Sequence, residues 1–364
     1  VTVNHSLRAS RAYLETALSQ EQASAIAFLL RQPGSPDQEI YLGTHARAGL
    51  GFAGPVNEES LFDLASVSKI FSTVSLLFSA ESEGKFSWAD PVRKYFTDFP
   101  GAQTTLLEIV THRAGLPAHL EFFKRFAGFP GGTSKLGDQK PLLHWICEAG
   151  LSNPGTQVYS DLGFMLLGLL LESLHGKPLP EIFHERIASR LKLKNTGYVT
   201  LPHAPAPARL YGLLAEPARF VATETCPWRK KTLQGEVHDD NTWALGGFAG
   251  HAGIFSTLRE SAAMFEHLLK QAGASPAFLS RKLEAPGTFS LGFMTYPGLR
   301  PFPGPAFEGA IGHTGYTGTS AWFHPPSRTK AILLSNRVHP TRADGRWIDT
   351  RLEFHKTLWE ELGL

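Results

Sequence analysis

Thr319-Ser320-Ala321-Trp322-Phe323-His324, then Pro325-Pro326-Ser327-Arg328, then Lys330-Ala331-Ile332-Leu333-Leu334-Ser335-Asn336-Arg337-Val338, reads as an antiparallel hairpin. Two apolar and aromatic runs are separated by a Pro-rich turn that can extend neither of them. The start of the chain mirrors this arrangement, with strand-like residues 23–31 and 39–47 flanking Pro33-Gly34-Ser35-Pro36-Asp37. Strands close in sequence tend to be neighbours, so the two hairpins are expected in one antiparallel sheet of about five strands. Helical spacing of Leu7, Leu14, Ala17 and Leu18 predicts a helix over residues 7–18. A last helix carries Ile348, Leu352, His355, Leu358 and Leu362 on one side. Between the ends lie mostly helical patterns, with Gly/Pro-rich loops at 127–141 and 200–235. The expected class is α+β in three layers. A sheet domain (residues 1–85 and 300–364) would carry Ser66 and His313, and an inserted, mainly helical domain (86–299) would carry Tyr159. Residues near 66 and 313 then meet at the seam, where clefts form.

Composition narrows the function classes. Of 364 residues, 35 are Lys or Arg and 33 are Asp or Glu, a formal charge of +2. Nucleic-acid binding demands a clustered basic excess, so it is not expected. A hydrophobic content of 42% excludes disorder for the chain as a whole. The longest apolar stretch, residues 162–171, is half the length of a membrane span. No basic segment followed by an apolar one opens the chain, so no secretory signal is read. The first residue is Val, which suits a trimmed, mature form in the periplasm or cell envelope, or else a cytoplasmic protein with another start. Cys147 and Cys226 are too few for a disulfide framework or a zinc site, and their pairing is left open.

An activated serine is one route to hydrolysis, and Ser-x-x-Lys on a helix puts hydroxyl and amine on one face. Four such tetrads begin at Ser66, Ser82, Ser189 and Ser327. Ser82-Glu83-Gly84-Lys85 lies where a helix stops, Ser189–Lys192 at a polar helix end, and Ser327–Lys330 in the hairpin turn. Only Ser66-Val67-Ser68-Lys69 opens a long apolar helix, continuing Ile70-Phe71-Ser72-Thr73-Val74. A lysine buried there is expected to lose its proton by desolvation and serve as a base.

Two further segments join it. Tyr159-Ser160-Asp161, within Asn153-Pro154-Gly155-Thr156-Gln157-Val158-Tyr159-Ser160-Asp161-Leu162-Gly163, resembles the Tyr-x-Asn element of penicillin-recognising serine hydrolases. Gly312-His313-Thr314-Gly315-Tyr316 is similar to their Lys/His-Thr-Gly strand. The loop Leu106-Leu107-Glu108-Ile109-Val110-Thr111-His112-Arg113-Ala114-Gly115-Leu116-Pro117 and the segment Gly253-Ile254-Phe255-Ser256-Thr257 also resemble that superfamily. The likeness runs from about residue 20 to the end and points to the group of class C β-lactamases, DD-peptidases and family VIII esterases.

The resemblance implies the β-lactamase/transpeptidase fold and a division of labour. Ser66 would attack a carbonyl and become acylated, with Lys69 as neighbouring base. Tyr159 would move protons, its phenol acidified by Lys69 and His313. The backbone N–H groups of Ser66 and Tyr316 would hold the oxyanion, and His313, Thr314, Gly315 and Asp161 would contact substrate or polarise the site. The implied substrate is a small cell-wall peptide, a muropeptide or an ester, with β-lactams as acylating ligands and no cofactor. Asp161 stands where many members carry Asn, which argues against ordinary β-lactam side-chain recognition. His313 in place of Lys is more suggestive of peptidases and esterases. A carboxylesterase, a weak β-lactamase and a binding or scaffold homologue without turnover remain alternatives.

Arg337 and Arg342, just after the last strand, are candidates for binding a substrate carboxylate bidentately. Gly235-Glu236-Val237-His238-Asp239-Asp240-Asn241 and Gly250-His251-Ala252-Gly253 hold metal-ligand types but match no zinc spacing, so no metal is expected. A loop hydrogen-bonded across the cleft mouth is the preferred reading. Similar wording occurs in a subgroup of the family tied to cell-wall fragments. His184-Glu185 lacks the second histidine of a zincin, and neither a Gly-x-Ser-x-Gly elbow nor a phosphate loop is present.

Overall fold

In the computed structural model, which describes residues 7–201, 216–274, 289–295 and 310–364, the two hairpins do share one sheet. The strands in chain order are β1 (Ala25–Arg31), β2 (Gln38–Gly43), β3 (Phe62–Asp63), β4 (Gly197–Tyr198), β5 (Thr225–Cys226) and β6 (Lys231–Thr232). They continue with β7 (Ile254–Ser256), β8 (Phe289–Ser290), β9 (Phe293–Thr295), β10 (Ile311–Thr314), β11 (Ser320–His324) and β12 (Thr329–Ser335). The main sheet is antiparallel in the order β2-β1-β12-β11-β10-β9-β8, seven strands rather than about five. Strand β1 pairs with β12 in the register Ile26↔Ser335 to Arg31↔Lys330, which closes the N-terminal hairpin onto the C-terminal one. The two extra strands, β8 and β9, fall within the stretch assigned to the insert yet pair onto β10. The expected boundary at 299/300 lies outside the described residues, as does part of the 200–235 loop.

Successive side chains of a strand face opposite ways, and both faces of this sheet are dry. Ile26, Phe28 and Leu30 point toward the terminal helices Arg8–Ser19 and Arg346–Glu361, where Trp322, Trp347, Phe354 and Leu358 complete a core. Ala25, Ala27 and Leu29 point the other way, into the larger core shared with helices Ser75–Ser82, Asp161–His175 and Leu258–Ala274. The last helix buries Trp347, Thr350, Phe354, His355 and Leu358. Its apolar stripe is thus rotated from the expected one, because its three bulkiest rings, Trp347, Phe354 and Trp359, take the core side. Ile348 and Leu352 are left half-buried.

The apolar run 162–171 forms the centre of helix Asp161–His175. Ser160 caps its start by accepting the Gly163 N–H, and Gly176 ends it at φ 65°. This helix lies in the core, and no helix among the described residues is long and apolar enough to cross a membrane. Asn336, just past β12, is buried and ties the layers together. Its oxygen accepts the N–H groups of Ser24 and Ala25, and its amide donates to Ser24 Oγ and Ala222 O.

Candidate active site

Ser66 sits where β3 gives way to a helix. Ala65 takes a left-handed φ of 46°, unusual for a residue with a Cβ, and one 3-10 turn, Ala65–Val67, carries the serine. The helix then runs through a π segment, Lys69–Val74, entirely buried, before becoming regular at Ser75. Wide turns of this kind recur at functional sites because they redirect side chains within a helix. The turn is held from two sides. Asp63 accepts the Ala65 N–H on one oxygen (2.9 Å) and the His238 N–H on the other (2.7 Å). Thr317 and Thr319 donate to the carbonyls of Asp63 and Leu64 at 2.8 and 3.0 Å. Gly315 allows this approach, since a Cβ there would lie 2.0 Å from Thr319 Oγ1 and 2.7 Å from Leu64 O. The segment after β10 is thereby fastened against the serine turn.

Lys69 Nζ donates to Ser66 Oγ (2.9 Å), Asp161 Oδ1 (2.8 Å) and the carbonyl of His251 (3.3 Å). Its three protons are all placed, and its side chain is fully buried. Burial alone would push this amine's pKa down, but the charge of Asp161, with the hydrogen bonds offered by Asp161 and Tyr159, more than offsets it, and the net shift is upward. Lys69 therefore rests as an ammonium, and the proton loss expected from desolvation does not occur. Burial also acts to raise the Asp161 pKa, yet Lys69, His119 and His251 hold its carboxyl well below the usual range. Its position at the first turn of a helix favours the same charge.

Tyr159 packs its ring against His112, Phe289 and His313, with centroids 4.7, 5.5 and 5.9 Å away. Lys69 Nζ lies 4.9 Å from the ring centre. Burial raises the pKa of the phenol more than Lys69 and Ser66 lower it, so Tyr159 is not acidified and rests protonated. His313 contributes no charge. Burial, with Lys69 behind it, takes its pKa down to about 3, and Nδ1 donates to Thr314 O at 2.7 Å. Neutral His313 thus keeps Nε2 as an acceptor, which is buried and without a partner.

Ser66, Tyr159 and Asp161 open onto a cleft of about 360 Å³ whose wall also includes His119, Tyr316 and Arg342, while Lys69 and His313 lie buried behind it. Tyr316 is half exposed and stacks on His238, 5.7 Å between centroids. The two arginines stand differently from expectation. Arg337 is buried under Tyr316, 4.3 Å from its ring, and donates to Tyr316 O and Asp344 O, so it holds the turn and is absent from the cleft wall. Arg342 does line the cleft, but its guanidinium is taken by Glu224 (2.8 Å) and Asp240 (3.1 Å). The loop residues His238, Asp239, Asp240 and His251 line the cleft too, with His251 paired to Asp239 at 3.0 Å. No group of three or more His, Cys, Asp or Glu fit to hold a metal gathers among the described residues. Cys147 and Cys226 are both free thiols.

Of the four tetrads, Ser66–Lys69 has its hydroxyl and amine in contact. Ser82 turns back to Ser79 O, Ser189 meets His184, and Ser327 meets His324 while Lys330 pairs with Glu266. The sequence reading overlooked His119, whose Nδ1 lies 3.2 Å from Asp161 Oδ2. It also gave no role to His112, whose ring backs Tyr159 and whose Nδ1 accepts the Ser160 N–H. No spacing rule marks either residue.

The beta-lactamase family matches residues 11–355. The N-acetylmuramyl-L-alanine amidase of Bacillus subtilis (strain 168) is 30% identical over 318 residues, covering 77% of this chain and 68% of that protein. A putative D-alanyl-D-alanine carboxypeptidase of Salmonella typhimurium is 30% identical over 306 residues, covering 77% and 70%. Among solved structures, a class C beta lactamase from Rhodobacter sphaeroides superposes with a TM-score of 0.70 at 20% identity, covering 98% of this chain and 99% of that one. The D-amino acid amidase from Ochrobactrum anthropi SV3, with 0.67 at 16%, covers 96% and 97%. At those identities the structures speak for the fold, while the family match and the 30% relatives speak for kinship: the chain belongs to the beta-lactamase family and is a serine hydrolase.

Proposed function

We propose that the chain hydrolyses an amide of a cell-wall peptide or muropeptide through an acyl-enzyme on Ser66. The observation that carries this reading is the contact of Lys69 with Ser66 and Asp161 at the floor of the cleft. Lys69 and Tyr159 both rest protonated, so the base is the pair after loss of a single proton. That form takes the proton of Ser66 as Oγ attacks the carbonyl, and Tyr159 returns it to the departing amine. Water then enters, gives a proton to the same pair as its oxygen bonds to the acyl carbon, and the acid leaves as the pair passes that proton to the departing Ser66 Oγ. The N–H groups of Ser66 and Tyr316 hold the oxyanion, a contribution of about 3–4 kcal/mol per donor. Neutral His313 packs behind Tyr159 and adds no charge to the site.

Two relatives at 30% identity bear the names of an N-acetylmuramyl-L-alanine amidase and a putative D-alanyl-D-alanine carboxypeptidase. The engagement of Arg342 by Glu224 and Asp240 favours an amide with no carboxylate beside the scissile bond. Mass spectrometry of purified muropeptides incubated with the protein tests the proposal. A new amine and acid pair is expected with wild type and absent with Ser66→Ala. Equal cleavage by Ser66→Ala would end it.

A further inference from the structure

His119 is held in place more firmly than its exposure suggests. Its side chain is 43% exposed in the cleft wall, yet the backbone on both sides is pinned. Asp161 N–H donates to Ala118 O at 2.9 Å, and Ser160 Oγ donates to Pro117 O at 2.6 Å. Asn241, fully buried, donates to Leu120 O at 2.8 Å and accepts the Phe123 N–H at 2.8 Å. The loop is thus tied to the N-terminus of helix Asp161–His175 and to helix Asp240–Ala244. The result is a row in which one carboxylate is shared, with Lys69 Nζ on Asp161 Oδ1 and His119 Nδ1 on Asp161 Oδ2. Because a carboxylate only accepts, Nδ1 carries a proton in either state of the ring, and Nε2 gains or loses one.

We propose that His119 is a positioning residue of this hydrolase, acting through the shared carboxylate of Asp161 to set how tightly Lys69 holds its proton. A charged His119 competes with Lys69 for Asp161 and loosens that hold; a neutral His119 leaves the carboxylate to Lys69. The hydrogen bond to Asp161 is the largest influence on His119 and raises its pKa above the ordinary histidine value, against burial. The other charges facing it are Asp239, from the loop ahead of helix Asp240–Ala244, and Glu121 on its own segment. His238, His251, Asp240 and Arg342 complete the wall around it. On the far side, Asp161 feels Lys69 and His251. The inference rests on the reading of Ser66 and Lys69 as the reacting pair.

The test follows kcat/KM for p-nitrophenyl acetate from pH 5 to 9.5 in the full chain. Wild type, His119→Asn, Asp161→Asn and the double variant are compared, with folding checked by urea denaturation. Asn offers an N–H near the place of Nδ1 but cannot titrate. At pH 5.5, His119→Asn is expected to be about fivefold slower than wild type, the size of a partly screened charge effect below one pKa unit. The gap narrows as the pH rises and the wild-type ring gives up its second proton. In the Asp161→Asn background, the same change at residue 119 has no effect. Superimposable wild-type and His119→Asn profiles would overturn the proposal, and so would an undiminished effect with Asn at 161. Ser66→Ala is run alongside: full ester turnover by that variant would sink the underlying site reading, whatever His119 does.

Discussion

Replacing Asp161 by Asn removes the one carboxylate, among the described residues, within hydrogen-bonding distance of the fully buried Lys69 ammonium, with no change in size. At 2.8 Å and an effective dielectric of about 20, that attraction is on the order of 6 kcal/mol. Most of it offsets the cost of taking both charges out of water, so the loss on cutting the pair is about 3–5 kcal/mol. Lys69 has an escape, because a buried amine stripped of its counter-charge gives up its proton. The cost of deprotonation then caps the penalty, about 1.4 kcal/mol for each pH unit below the unfolded lysine value near 10.4. The ceiling is roughly 5 kcal/mol at pH 7 and roughly 2 at pH 9.

The signs differ between the two proteins. In the wild type, Lys69 is shifted up, so its contribution is present below the unfolded lysine pKa and is lost only in strong alkali. Asp161 is shifted down, so its contribution is present above the unfolded aspartate pKa and is lost in acid. Between pH 5 and 9 this pair therefore gives no slope. In Asp161→Asn the Lys69 pKa is depressed, the unfolded chain binds one proton more, and stability rises with pH. Urea denaturation, followed by fluorescence of the buried Trp322, Trp347 and Trp359, measures both curves. The rising limb of kcat/KM moves to lower pH by at least about one unit as Lys69 loses its counter-charge. A variant within 0.5 kcal/mol of wild type, flat in pH and with its rate limb unmoved, would refute the reasoning (roughly the scatter of a neutral surface substitution).

Two further substitutions probe how the cleft is built. Gly315→Ala drives a methyl to 2.0 Å from Thr319 Oγ1 and 2.7 Å from Leu64 O. It is expected to destabilise by about 1–3 kcal/mol, as overpacking does, and to lower Ser66 acylation at least tenfold, read by labelling with fluorescent penicillin. Arg337→Lys removes the planar stack on Tyr316 and the bond from Nε to Tyr316 O. A fall in kcat with KM nearly unchanged is expected if Arg337 only steadies the turn. A rise in KM confined to carboxylate-bearing substrates would return it to the binding role.

The sheet was readable because both hairpins combine apolar strand runs with Pro- or Gly-bearing turns, and β1↔β12 pairing needs only that the two hairpins be neighbours. Strands β8 and β9 were not. They hold two and three residues and meet at Leu291-Gly292, both at positive φ (43° and 85°). An Asn-Gly pair would have announced such a turn, and a leucine in the left-handed region conceals it. Its place is explained only by tertiary packing, for a Cβ on Gly292 would come within 2.5 Å of Val74 Cγ2 on the π segment.

The same division between local and distant causes runs through the site. Ser66, Lys69, Tyr159 and His313 could be named from short motifs, because each motif carries its residue types at a spacing that one helix turn or one strand explains. Their charge states could not. A buried lysine in an apolar helix tells the reader the sign of one cause, desolvation, and that cause is indeed the largest acting on Lys69. The net sign belongs to Asp161, 92 residues away, and is shared with His119, 42 residues before that. Tyr159 errs in the opposite direction for the same reason: the neighbouring cation was visible in the motif, while the enclosure by His112 and Phe289 that outweighs it was not. Motifs name the atoms that react; the resting protonation of those atoms is decided by the least local contacts in the fold, which is why substitutions at 161 and 119 discriminate between mechanisms where removal of Ser66 cannot.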